Sequence, residues 1–278
     1  MNIIYAILAM IGFGSYPVFA KKLISKYGSF MTSFYSHLIA WIIVLAILLP
    51  GFSYTKPTMA TTFLIIMQGF IGASAVAVMF LAYKSTKVSL AVSLINIYPL
   101  IVLLASVLIF NEKFTSLKIL AALIIIFGSL ILVNDFLNLP KIKKNSIYII
   151  SLAVLLLSLN VILMKPIVVE LGGRASSIFV ETVTVLGLLM LFNIFDKVKL
   201  PKRKDFASFL IPGAFLGLAV STIFFSINKI GVGLTGAIVG ASPLVSSIFG
   251  RIYLKEKLNK KEIIGILTIV LGLVLISI

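Results

Sequence analysis

The sequence predicts an all-α integral membrane protein of ten transmembrane helices arranged as two inverted five-helix repeats, and three observations carry that expectation. The first is composition: 61% of the 278 residues are hydrophobic and 12% are charged, with a mean hydropathy of +1.21, whereas a soluble domain is only about half apolar. The second is run length. Apolar stretches of about 20 residues recur along the chain, the length an α-helix needs to cross the bilayer core, and they lack the alternation of a membrane β-barrel. The third is an internal match at an offset of 144 residues that runs from the first stretch to the last.

Read in order between charges and turn residues, the spans are 2–20, 31–49, 61–83, 88–110, 116–133, 146–164, 174–195, 206–228, 232–254 and 262–278. The first, Asn2 to Ala20, carries Lys21 and Lys22 behind it and no basic segment in front, the reverse of a cleavable signal peptide, so it is read as a span. The longest polar stretch, Asp196 to Asp205, is too short to fold alone. Function must therefore reside in the helical bundle, and most soluble enzyme folds are excluded. The chain has no cysteine and one histidine, which removes disulfides, cysteine metal sites and histidine clusters; no cofactor and no metal are expected. A net charge of +16 in a soluble protein would point to nucleic acid, but here the basic residues lie in short loops facing lipid headgroups, and no nucleic-acid partner is expected.

The 144-residue match extends beyond greasy helices. Lys21 falls on Lys165, Gly28 on Gly172, Pro57 on Pro201, Gly69 on Gly213, Pro99 on Pro243, Glu112-Lys113 on Glu256-Lys257, and Gly128 on Gly272. Two domains follow, 1–138 and 145–278. With five spans each, the second must enter the membrane from the opposite side, which gives a pseudo-two-fold axis in the membrane plane. Of the 24 lysines and arginines, 18 lie in or beside the loops after odd-numbered spans. By the positive-inside rule those loops are cytoplasmic and both termini are outside.

The residues Phe13-Gly14-Ser15-Tyr16-Pro17-Val18-Phe19-Ala20-Lys21, together with Ala91 to Thr115 containing Pro99 and Asn111-Glu112-Lys113-Phe114-Thr115, resemble motifs of the drug/metabolite transporter superfamily, in its ten-span type built from two EamA domains. The second half repeats the later motif as Pro243 and Lys255-Glu256-Lys257-Leu258-Asn259. The resemblance covers essentially the whole chain and implies a multi-pass transporter of the cytoplasmic membrane. Three residues depart from it: Phe13 stands for the usual Trp, His37 for an Arg on the second helix, and the first helix lacks the acidic residue of the small multidrug exporters, which argues against export of cationic drugs.

Two ionisable residues sit well inside the spans, His37 and Glu181, and they are repeat mates. A charge in hydrocarbon costs about 2.5 kcal/mol or more, so each should face a cavity or a partner, and they are the candidates for proton or substrate coupling. Because the halves are inverted, they are expected towards opposite faces of the membrane. Pro99 and Pro243 are read as mid-helix breaks that free a carbonyl and admit bending. Asn96, Tyr98 and Ser242 beside them, with Ser15, Tyr16 and Asn160 on helices 1 and 6, are expected to line the substrate pathway. Lys21 and Lys165 end equivalent helices and either attract an anion or complement the helix dipole. Glu112 is expected to cap or pair locally. The small residues of helices 5 and 10, and the pairs Gly213–Gly217 and Gly236–Gly240, are expected as packing seams.

No catalytic constellation or nucleotide-binding loop is present. The expected activity is secondary transport of a small polar, amino-acid-like metabolite by alternating access, with proton coupling open. The partners are that solute, membrane lipids and, if coupled, protons; the working unit is a monomer that forms an internal pseudo-dimer. A flippase of a lipid-linked substrate, or a channel or sensor, is the alternative.

Overall fold

The computed structural model describes residues 2–53, 56–85, 91, 94–132, 143–195, 201, 203–253 and 259–278. Among these every regular element is helical. In chain order they are α1 Ile4–Tyr27, α2 Ser29–Leu48, α3 Met59–Ser85, α4 Tyr98–Leu108, α5 Ser116–Leu132, α6 Lys144–Phe195, α7 Leu210–Ile230, α8 Val232–Val239, α9 Ser242–Tyr253 and α10 Lys260–Ser277. A helical turn at Arg203–Phe206 and a 3-10 turn at Ala207–Phe209 lead into α7. Six segments among the described residues are long and apolar enough to cross a membrane, and α4 and α5 are shorter apolar helices. The expected spans thus appear in coarser form. Most of the first part of span 88–110, and Glu256 with its flanking lysines, lie outside the described residues.

Two glycines set the path of the chain. A straight helix of 52 residues would extend about 78 Å, more than twice the hydrocarbon thickness. α6 avoids this at Gly172, whose φ of 72° and ψ of 171° break the ladder and divide it into arms 144–171 and 173–195. Gly28, the repeat mate, joins α1 to α2 with φ 83° and ψ 169°. A side chain at such positive φ is strained, so glycine is needed at both places.

The prolines mark a second shared device. The expectation of prolines in the middle of continuous helices is corrected: Pro99 lies in the first turn of α4, and Pro243 is the second residue of α9. The helices are interrupted by turns at Asn96–Ile97 and Gly240–Ala241. Ile97 N donates to Leu94 O at 3.3 Å and Leu100 N to Ile97 O at 3.0 Å; at the mates, Ala241 N donates to Ile238 O at 3.0 Å and Leu244 N to Ala241 O at 2.9 Å. Proline lacks the N–H that a helix interior requires but is suited to a first turn, where that donor has no partner anyway.

Between helices in lipid, dispersion and close approach hold the bundle rather than water exclusion. α5 packs against α10. A Cβ on Gly128 would stand 2.8 Å from Ile269 N, one on Gly265 2.6 Å from Leu132 N, and one on Gly272 3.0 Å from Ala121 O. Contacts that ascend α5 descend α10, so the seam is antiparallel. A Cβ added to Gly213 would stand 2.6 Å from Ile39 of α2, one on Gly217 3.1 Å from Ile43, one on Gly236 2.9 Å from Val102 and one on Gly240 2.7 Å from Pro99. The glycine seams expected from sequence are therefore helix contacts within one chain.

Several contacts recur at the 144-residue offset. Gly69 packs closely on Val183 as Gly213 packs on Ile39. At the ends of the bundle, Lys26 pairs with Asp205 at 2.9 Å, while Glu170 accepts from the hydroxyl of Thr61; 26 and 170, and 61 and 205, are repeat mates.

Candidate functional site

The site is built where α2 crosses the second arm of α6. His37 Nδ1 lies 2.8 Å from Glu181 Oε1, with side chains 12% and 4% exposed. The expectation that the two lie towards opposite faces is overturned. α2 starts at Ser29, which puts His37 about 12 Å along it, near its middle. Glu181 is equally far beyond Gly173 on its own arm. Two helices that cross near their midpoints bring such residues together, whichever ends they enter from.

One turn along α2, Trp41 Nε1 donates to Thr182 Oγ1 at 2.8 Å, and that hydroxyl donates to Ile178 O at 2.7 Å. The indole and the imidazole therefore fasten α2 to the same turn of α6. Because an imidazole nitrogen either donates or accepts, the direction of the His37–Glu181 hydrogen bond is set by the ring's tautomer.

A second polar contact joins α3 to the first arm of α6. Gln68, only 1% exposed, donates through Nε2 to Asn160 Oδ1 at 2.5 Å. Asn160 is also pressed against Gly72, where a Cβ would come 2.7 Å from Nδ2. The expected pathway residue Asn160 is thus held by α3. Gln68 lies in α3, away from the proline breaks and the α1 motif that direct the sequence expectation; an amide within an apolar span is the available signal.

The remaining expected residues fall in two groups. Ser15 is buried and donates to Ile11 O at 2.7 Å, so its hydroxyl is used within α1. A Cβ on its neighbour Gly14 would stand 2.5 Å from Ser242 O, and Ser246 donates to Gly14 O at 2.6 Å, which brings the α1 motif onto the first turn of α9 beside Pro243. Tyr16 is half-buried, beside Ser33 and Ser36 of α2, whose hydroxyls complete no hydrogen bond of ordinary geometry. Asn96 Nδ2 at the interruption before α4 is likewise buried without a partner, while Tyr98 and Pro99 turn into packed surroundings. Gln68 Oε1 and the Ser221 hydroxyl complete the buried polar atoms without a partner among the described residues. In a low-dielectric interior each such atom costs about 1–3 kcal/mol, which a bound polar solute or water would recover.

Glu112 has a role other than the local one expected. Asn111, at φ 51°, turns the chain so that Glu112 reaches the start of α8. Its Oε1 accepts from Val232 N at 2.9 Å and its Oε2 from Gly233 N at 3.1 Å, while Lys165 Nζ lies 2.9 Å from Oε1. The carboxylate thus satisfies the open donors of a helix N-terminus and neutralises Lys165. Neither residue is engaged with its neighbour in sequence, which is why local reading missed the contact.

Long apolar helices, a two-part internal match and polar groups buried at helix crossings define a membrane transporter. The chain belongs to the EamA-like transporter family, whose pattern matches residues 1–134 and again residues 144–278, within the drug/metabolite transporter superfamily. A solved crystal structure with 16% identity covers 97% of this chain and 96% of its own, with a TM-score of 0.74; at that identity the likeness concerns the fold alone. Among curated proteins none matches.

Proposed function

We propose that this protein is a secondary transporter of a small polar, amino-acid-like metabolite, coupled to protons and working by alternating access across the cytoplasmic membrane as a monomer. The observation that carries the proposal is the His37–Glu181 pair, two ionisable side chains in contact within the apolar bundle. A buried pair of this kind is tolerated while it is neutral overall. Gain or loss of a single proton leaves a net charge in hydrocarbon, where it is costly, and biases the bundle towards a form that admits water. Protons and solute would thus share one conformational equilibrium.

The contacts that recur at the 144-residue offset, with two matches to one family pattern, support an inverted pair of five-helix domains that rock about the α5–α10 seam. The residues nearest the solute are then Tyr16, Asn96, Tyr98, Pro99, Ser242 and Pro243, with Asn160 and Ser15 holding neighbouring helices. Glu112, Lys165 and the start of α8 would close one end of the path. The charge bias of the loops supports an orientation with both termini outside.

Counterflow in proteoliposomes, run across a range of pH with a panel of amino acids, tests the reading. Accelerated exchange with a pH-dependent rate is expected for the unaltered protein, and a flat pH profile for Glu181→Gln. A Glu181→Gln protein that keeps the original profile assigns the carboxyl to structure alone; absence of accelerated exchange rejects the carrier.

A further inference from the structure

Away from the helix crossing, a cleft of about 410 Å³ opens where the start of α1, the start of α5, the end of α7 and the end of α10 meet. It is lined by Lys113, Lys118 and Lys229 with Thr115, and its apolar floor is presented by the half-buried side chains of Ile3, Phe114 and Ile230. No acidic residue lines it. Among the described residues, none of the three lysines has an ion-pair partner. The adjacent carboxylate, Glu112, is already committed to Lys165 and to two backbone N–H groups. Three cations gathered on one small opening repel one another, so the cleft is electrostatically incomplete without an anion.

The level of the cleft in the bundle narrows the choice of anion. Lys118 stands in the first turn of α5 and Lys229 in the last turn of α7, so the lysines and the apolar side chains between them lie together at the ends of apolar helices, the level of lipid headgroups. A free phosphate would use the lysines and leave the floor bare. An amphiphile with an anionic head uses both. Basic pockets between transmembrane helices are suited to anionic headgroups. We propose that this cleft binds an acidic glycerophospholipid, with its phosphate among Lys113, Lys118 and Lys229 and its glycerol ester region over Phe114 and Ile230.

The purified full chain in neutral detergent micelles provides the test. Its thermal midpoint is followed against added short-chain phosphatidylglycerol, short-chain phosphatidylcholine or inorganic phosphate. Saturable stabilisation by phosphatidylglycerol is expected, with none from the other two, because a ligand that binds only the folded state raises its stability. Each lysine near the headgroups contributes about fivefold to affinity, so Lys113→Gln, Lys118→Gln and Lys229→Gln together should weaken binding about a hundredfold. Lys260→Gln with Lys261→Gln, at the other end of α10, should leave it unchanged. If the triple variant does not fold, the single variants carry the test, each with an expected fivefold loss. Equal protection by phosphatidylcholine or by phosphate overturns the proposal, as does an undiminished response in the lysine variants.

Discussion

Glu181 is buried and Glu112 half-buried, with side chains 4% and 9% exposed, and each faces a basic side chain at 2.8–2.9 Å, yet their surroundings differ. Glu112 lies against the Lys165 ammonium and accepts from two N–H groups at a helix start. Glu181 meets the His37 ring, and no backbone donor is shared with it among the described residues. The first carboxylate gathers donors from two helices, and the second holds one side chain. Similar distances thus describe a many-armed clamp in one place and a single side-chain contact in the other, and the distinction lies in how many donors each carboxylate satisfies.

The largest effect expected from breaking this comparison is at Glu112. Glu112→Ala strands the Lys165 ammonium and two helix-start donors, and removal of one side of a buried pair costs about 3–5 kcal/mol. The thermal midpoint in micelles should fall steeply, and restoring length without charge, as Glu112→Gln, should recover only part of the loss. Glu181→Ala should cost less, about 1–2 kcal/mol, because it strands one ring nitrogen of His37 rather than an ammonium and two backbone donors; a loss equal to that of Glu112→Ala would remove the distinction.

The smallest effect belongs to a third carboxylate, Glu170, which lies past the end of span 146–164 and is exposed. It accepts from Thr58 N at 2.6 Å and from the Thr61 hydroxyl, and these bonds, the backbone one first, hold its pKa below the ordinary 4.5. A folded-state value below the unfolded one means that the contribution is complete above the unfolded value and is lost as pH falls through the folded one. Glu170→Gln should therefore lower the thermal midpoint slightly at neutral pH, and the gap between variant and parent should close in acid.

Much of this architecture was legible in the sequence because it depends on local chemistry or on repetition. Apolar run length marks helices, and the 144-residue offset already paired Gly28 with Gly172 and Pro99 with Pro243. The structure added that the members of each pair do the same work: a positive-φ corner at the glycines and an opened helix at the prolines. Depth was harder to read. His37 was judged from an approximate helix start, and two residues of error there, with no knowledge of the crossing point, placed a contacting pair on opposite faces. Gln68 carries no charge, so its contact with Asn160 had no electrostatic signal in the chain.

By itself the sequence determined that the chain is helical and membrane-embedded, that its halves repeat, and which rare polar residues the apolar spans contain, since burial cost and helix length act residue by residue. The tertiary structure alone decided which of those residues meet. Glu112 reaches Lys165 and the start of α8 across more than fifty residues of chain, and His37 reaches Glu181 across 144. Such contacts depend on where helices cross, and crossing is set by the close packing of small residues from distant segments, which no single stretch of sequence contains.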